Sequence, residues 1–263
     1  MKKFLFIIPQ SPASSLTPFR RSLTEVSMWT LKNQTSSDWE ALLIGEEEKT
    51  EGNLHYVRSP FKTKEEKLHF VVDRFLNARD LPEYFIRLDD DDLISPLVLD
   101  KVSRLEFDCY ADHWHCFYDL STGRISQQKR SWLPNTVIHK TEHALAEYGE
   151  YHYVVHSDLR RPHLLQNDHS KWWHQYYAGK KTIFAPKGNP FYIRVLSPTS
   201  YTASGGQYDH YLEKFGKWDS PVPEEYREYI DELKKIWIAS FGNLNPAKKN
   251  ILKSMIAKLK NYF

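Results

Sequence analysis

Tyr84-Phe85-Ile86-Arg87-Leu88-Asp89-Asp90-Asp91-Asp92 is a mainly apolar run that ends in four consecutive carboxylates. A short apolar run of this kind reads as a buried strand. Adjacent carboxylates repel one another, which costs stability and raises their pKa values. Directly after a buried strand, the economical explanation is a hard divalent cation, Mg2+ or Mn2+, held by oxygen ligands. In an extended segment alternate side chains face the same way, so Asp89 and Asp91 share one side and Asp90 and Asp92 the other. The competing reading is a solvated acidic loop in which Asp92 or Ser95 caps a helix starting near Pro96. Four aspartates exceed what a cap needs.

Upstream, Phe4 to Ile8 is another continuous apolar run, as expected of a strand buried on both faces. A Ser/Pro-rich loop spans Gln10 to Pro18. The pattern then predicts a helix over Phe19 to Asn33, with Phe19, Leu23, Val26 and Thr30 on one face. Ala41 to Ile44 and Leu54 to Val57 read as strands. Thr63-Lys64-Glu65-Glu66 is a capping box. The helix it opens carries Leu68, Val71, Val72, Phe75 and Leu76 at helical spacing. Strand and helix thus alternate over the first hundred residues, which implies a parallel sheet with helices on both faces. Ligands of such sheets bind beyond the carboxyl ends of the strands, where the aspartates sit.

The middle of the chain reads differently. Cys109 to Tyr118 and Trp132 to His139 are expected as strands joined by a turn around Ser121-Thr122-Gly123. Helices follow over Thr141 to Tyr148 and Ser170 to Tyr177. Short strands are expected at Thr182 to Phe184 and Phe191 to Val195. The last part reads as helical, with one helix over Glu224 to Ser240 and another opened by Asn245-Pro246. That final helix has an apolar face and several lysines. It is read either as packing on the catalytic domain or as lying on an anionic membrane surface.

The 263 residues carry 36 basic and 34 acidic side chains, which makes no case for a nucleic-acid partner. Cys109 and Cys116 do not make a disulfide framework, and the expected setting is reducing and cytoplasmic. No apolar run approaches the roughly 18 residues that span a bilayer. The Met1-Lys2-Lys3 start followed by an apolar stretch is too short for a signal peptide and reads as the first strand.

The segment Tyr84 to Pro96 resembles the Asp-x-Asp region of family-two-like glycosyltransferases with the GT-A fold. Two further segments fit in order. Leu31 to Ile44, with its Gln34-Thr35 turn, resembles that family's helix, turn and second strand. Asn167-Asp168-His169, followed by Trp172, Trp173 and Gly179, resembles the motif heading the acceptor-site helix. A rhamnosyltransferase subgroup carries a similar Arg-Leu-Asp-x-Asp-Asp run. The resemblance covers roughly residues 3 to 200. It implies an α/β fold, a GT-A Rossmann-like mixed sheet flanked by helices. Residues 1–200 would form the catalytic domain, with a nucleotide-sugar half over about 1–96 and an acceptor half over about 97–200. A loop and helical extension would occupy 201–263.

The resemblance further implies an inverting transfer from a UDP-, dTDP- or GDP-sugar to a saccharide or lipid-linked acceptor, in bacterial surface polysaccharide synthesis. The donor side would comprise Pro9, Glu46, Arg87, Asp89, Asp90 and Arg194. Relatives end the second strand in two aspartates, where this chain has Gly45-Glu46-Glu47. The cation, Mn2+ or Mg2+, would be held by Asp89, Asp91 and Asp92, with His156 as a further candidate ligand. Asp168 is the candidate base, and an N-cap role for it is compatible with that. His169, Trp172 and Trp173 are the acceptor-side candidates. Asp112-His113-Trp114-His115-Cys116 reads as strand residues alternating between faces rather than as a zinc site. Two other classes remain open. One is a Mg2+-dependent nucleotidyltransferase, though Gln10 to Pro18 lacks a glycine-rich phosphate loop. The other is an inactive carbohydrate-binding or scaffold protein.

Overall fold

The computed structural model describes residues 2–76, 80–130, 133–134, 136–146, 176–198 and 208–244. Its centre is β1 (Phe4–Pro9), flanked by β2 (Trp39–Gly45) and β5 (Tyr84–Arg87), both parallel to it. Outside β2 lie β4 (Leu54–Arg58), parallel, and the antiparallel edge strand β3 (Lys49–Glu51). On the other side β10 (Ile138–Lys140) pairs antiparallel with β5 and with β7 (Cys109–Asp112). The strand β11 (Thr182–Ala185) runs parallel to β7. The resulting eight-stranded mixed sheet has the order β11-β7-β10-β5-β1-β2-β4-β3. A second sheet of four strands has the order β6 (Leu93–Ile94), β12 (Tyr192–Leu196), β8 (Trp114–Asp119) and β9 (Arg124–Lys129).

The apolar run of β1 is explained by cover on both faces. Phe4, Phe6 and Ile8 pack with Met28 and Leu31 of α1 (Pro18–Lys32) and with Val98, Leu99 and Val102 of α3 (Val98–Val102). The alternate residues Leu5 and Ile7 pack with Leu68, Val71, Val72 and Phe75 of α2 (Lys64–Leu76). The two helices therefore read out the period-two alternation of the strand. The capping box at the start of α2 closes reciprocally. The Glu66 amide donates to Thr63 Oγ1 at 3.3 Å, and the Thr63 amide and hydroxyl donate to Glu66 Oε2.

α1 is apolar on a second stripe. Phe19, Leu23 and Val26 join Cys116, Tyr118, Ile193 and Val195 of the second sheet. The same cluster takes in Tyr229, Ile230, Leu233 and Trp237 of α6 (Arg227–Phe241). Helix α1 thus forms the partition between the two sheets. Helices α4 (Thr141–Ala144) and α5 (Tyr208–Lys214) complete the described α-helices, and short 3-10 turns lie at Ala13–Ser15 and Glu224–Tyr226.

Two expectations from the sequence are corrected. Cys109 to Tyr118 is not one strand: it breaks at His113, so that β7 stays in the main sheet and β8 enters the second. The break is fixed by Asp112, whose buried carboxylate accepts from the Phe191 and Tyr192 amides at 3.2 and 3.1 Å. The hairpin partner of β8 is β9, paired from Trp114↔Lys129 to Asp119↔Arg124, and not the segment ending at His139. The turn itself lies at Ser121-Thr122-Gly123, where Gly123 has φ +67°. The strand β9 reads Arg-Ile-Ser-Gln-Gln-Lys, with too few apolar residues for the hydrophobic pattern to reveal it.

Trp237 is 1% exposed against α1 and meets Phe19 edge-on with ring centroids 6.0 Å apart. Trp237→Ala is expected to lower stability by about 3–5 kcal/mol through lost burial and the cavity left behind. Urea denaturation measures this, and a cost near zero would show that α6 does not share the core.

Candidate functional site

The ends of β1, β2, β4 and β5 all point one way, as their parallel pairing requires. The Leu88 amide makes the last ladder bond of β5, to the Ile7 carbonyl at 3.0 Å. Beyond it the chain turns: the Asp92 amide donates to the Asp89 carbonyl at 3.3 Å. The aspartates are therefore a turn and not an extended segment, although their exposure alternates as expected, with Asp89 and Asp91 part-exposed and Asp90 and Asp92 buried.

Each carboxylate has its own partner. Asp89 pairs with Lys64 Nζ at 2.7 Å, at the start of α2. Asp90, which is buried, accepts from the Ser11 amide at 2.7 Å and from the Ser11 hydroxyl at 3.2 Å. Asp91 accepts from the Arg20 guanidinium at 3.1 Å. Asp92 accepts from the Tyr192 hydroxyl and, at 2.8 Å, from the Val195 amide. Asp89 and Asp91 keep side-chain exposures of 19% and 15%, whereas Asp92 is 2% exposed. The first two thus face the outside of the turn.

Burial raises the pKa values of Asp90, Asp91 and Asp92. For Asp91 burial lifts the value to about 6; the Arg20 charge opposes this rise and the neighbouring Asp90 and Asp89 add to it. Arg194 on β12 lies within the same field. Burial works against its charge, and Tyr192, Asp92, Asp89 and Asp91 more than restore it.

The loop after β1 closes over this turn. Pro9 is the last residue of β1 and is paired with Ile44. The Gln10 carbonyl accepts from Lys67 Nζ at 2.8 Å, and the Ala13 amide donates to Glu46 Oε1 at 3.1 Å. Lys67 is 2% exposed, so burial lowers its pKa while Glu46 and Asp90 raise it. Glu46, Ser11 and Asp90 are thereby joined through one loop. Thr17 caps α1 through Oγ1, accepting from the Arg20 amide at 3.2 Å.

Arg87 has a different position. It follows Phe85 by two residues on the α2 face of β5, is 1% exposed, and lies beside His139 of β10. His139 bonds through Nδ1 to the Tyr177 hydroxyl at 2.7 Å. Burial, then the Arg87 and His143 charges, lower its pKa to about 3. Asp168, His156, His169, Trp172 and Trp173 lie outside the described residues, as does the helix expected from Asn245.

The chain order did not single out Ser11, Arg20, Lys64, Lys67 or Tyr192. A signal was available for the cations. Helix N-termini favour acidic side chains. Arg20 and Arg21 nonetheless occupy the first turn of α1, which holds no acidic residue. A cation set against the helix dipole implies a nearby anion, here Asp91.

Among the described residues, only Asp108, Glu142 and His143 bring three ligand atoms within 4.8 Å of one another. They sit at the opposite pole of the sheet, before the start of β7. Asp108 accepts there from the Lys181 amide at 2.8 Å, and Glu142 pairs with Lys140 at 2.9 Å. Among the described residues no helix is long and apolar enough to cross a membrane.

No protein-family model matches the chain, and no curated protein sequence does. Solved structures resemble it in overall course. The S. aureus TarS 1–349 structure shares 11% identity at a TM-score of 0.46, over 90% of this chain and 72% of that one. The longer S. aureus TarS structure shares 13% at 0.48, over 96% and 50%, so this chain spans half its length. The glycosyltransferase GlyE of Streptococcus pneumoniae shares 9% at 0.36, over 92% and 65%. The inositol-1-phosphate CTP transferase of T. maritima shares 11% at 0.41, over 82% and 97%.

Asp92→Ala leaves the Tyr192 hydroxyl and the Val195 amide without their acceptor in a buried setting. The expected loss is about 1–3 kcal/mol for each orphaned group, read by urea denaturation. A second expectation concerns pH. His139 stays neutral in the fold down to about 3, whereas an unfolded histidine takes its proton near 6.5. The unfolded state therefore binds more protons in this window, so its stabilising contribution is full above about 6.5 and is lost as pH falls. The slope is up to about 1.4 kcal/mol per pH unit. His139→Gln should flatten that part of the stability–pH curve, and an unchanged curve would refute the assignment.

Proposed function

We infer that this chain is a glycosyltransferase of the GT-A kind, using a nucleotide-sugar donor and a divalent cation. The observation that carries the reading is the joining of the acidic turn to the loop after β1 and to the end of β2, through Ser11 to Asp90 and Ala13 to Glu46. Ligands of open α/β sheets bind at this end of the strands.

The residues fit a hard cation in chemistry, since the outer face of the turn offers the carboxylate oxygens of Asp89 and Asp91. Lys64 and Arg20 now neutralise those two groups, so a cation would enter by displacing them. Bound there, it would take up the charge of the departing diphosphate. The freed lysine and arginine, with Arg194 and Lys67, supply positive charge beside the phosphates. Glu46 is the candidate contact to the nucleoside. Asp92 holds the turn from behind, and its part in ligation would be secondary. Pro9 ends the strand from which the donor loop departs, and Arg87 supports the sheet beneath it.

Asp168 is the candidate base that removes the acceptor hydroxyl proton as the oxygen attacks. A carboxylate can do this because the proton moves late, when the oxygen has become acidic. His169, Trp172 and Trp173 are the candidate acceptor contacts, and His156 is a candidate further ligand. An inverting outcome, a part in surface polysaccharide synthesis, a cytoplasmic setting and membrane contact through the helix expected from Asn245 belong to this same proposal.

The test is a melting-temperature screen of UDP-, dTDP- and GDP-sugars with and without Mn2+. Binding to the folded state raises the melting temperature, by mass action. One nucleotide sugar is expected to do so only with Mn2+ present. Asp91→Asn should weaken that Mn2+-dependent binding at least tenfold. Asp168→Asn should leave donor binding intact and abolish transfer. If no nucleotide sugar binds with Mn2+, the reading fails; pyrophosphate release from a nucleoside triphosphate would favour a nucleotidyltransferase instead.

A further inference from the structure

The strands β7 and β11 run parallel to β5, because two antiparallel steps through β10 restore the direction. Their carboxyl ends, at Asp112 and Ala185, therefore open on the same pole as the acidic turn. Three strand spacings separate β11 from β5, about 14 Å. At this corner the chain exposes aromatic surface. Phe184 is 39% exposed, although its strand neighbour Ala185 is buried. His113 stacks at a tilt on Phe184, with ring centroids 4.8 Å apart. Trp114 follows His113 and is half-buried. Lys187 Nζ stands 4.4 Å over the Trp114 ring, and the loop that carries Lys187 is tied down by the Gly188 amide donating to Gln127 at 3.1 Å. Lys129, opposite Trp114 in the β8–β9 pair, is exposed too.

Part-exposed aromatic rings beside lysine ammonium groups suit one ligand chemistry in particular. A sugar ring offers an apolar C–H face to an aromatic side chain, and a carboxylate or phosphate on that sugar meets the ammonium. This corner attracts such a ligand through its lysines. We propose that Trp114, Phe184 and Lys187 form a binding platform for an anionic saccharide, the distal part of the acceptor chain. This deepens the glycosyltransferase reading and, as an acceptor site, rests on it. The platform lies away from the donor loop, so an extended acceptor would run from it past the carboxyl end of β7, the amino end of β10 and the carboxyl end of β5 toward the aspartates.

The experiment is calorimetric titration of the full chain with oligogalacturonate of six sugars, with neutral maltohexaose and polyglutamate as controls. Wild type should bind oligogalacturonate more tightly than either control. The surface changes Lys187→Glu and Phe184→Ala should each weaken that binding about tenfold, without altering maltohexaose binding in the lysine variant. Equal binding by both variants and wild type, equal binding of polyglutamate, or no oligogalacturonate binding by wild type would each overturn the platform. Mn2+-dependent nucleotide-sugar binding, measured on the same samples, separates the two proposals. Wild type that binds oligogalacturonate through these residues but no nucleotide sugar sinks the transferase reading and keeps the platform. Nucleotide-sugar binding with unaltered oligogalacturonate binding in the variants does the reverse.

Discussion

The buried carboxylate of Asp92 is the constraint on which the architecture turns. It sits where β5 ends and the chain crosses into the second sheet as β6, and it accepts from the Tyr192 hydroxyl and the Val195 amide of β12. Burying a carboxylate is costly unless its lone pairs are filled, and here strand β12 fills them. Asp112 makes the matching bond at the start of the same strand, to the Phe191 and Tyr192 amides. Two buried carboxylates thus fasten β12 along its length, one from each side of the seam between sheets. The acidic turn between Asp89 and Asp92 is anchored to the second sheet at its last residue.

The outer face of that turn has the opposite character. Asp89 and Asp91 keep some exposure and pair with the long side chains of Lys64 and Arg20. The Asp92 bonds, by contrast, are closed off from solvent, with Asp92 2% exposed. The four acidic residues divide into a buried half and a part-exposed half, although they are chemically alike and adjacent in sequence.

This division explains what the chain order revealed. The core elements were legible because their burial is periodic: β1 shows unbroken apolar character, and α2 shows its capping box and its stripe of Leu68, Val71, Val72 and Phe75. The position of the acidic cluster at a strand end was legible for the same reason. The alternate exposure of its four residues was legible too, but the turn that the Asp92 amide closes on Asp89 was not, since alternation was read from an extended backbone. β9 escaped detection because hydrogen bonds and two buried residues, Ile125 and Ser126, hold it rather than an apolar face. The break at His113 depends on Asp112 bonding to residues some eighty positions later, which no local pattern encodes. Ser11 and Lys67 join the site through bonds to and from the backbone, and such bonds leave little trace in residue type.

The seam also has a schedule. The partners of Asp92 lie 100 and 103 positions downstream. A chain emerging from the ribosome at about 5–20 residues per second therefore exposes its acidic turn for about 5–20 s before Tyr192 and Val195 exist to fasten it. The parallel core of β1, β2, β4 and β5 is fully synthesised by then. The nascent protein thus passes through an interval in which its scaffold can assemble and its acidic turn cannot, and the site matures only when the last strand of the second sheet arrives.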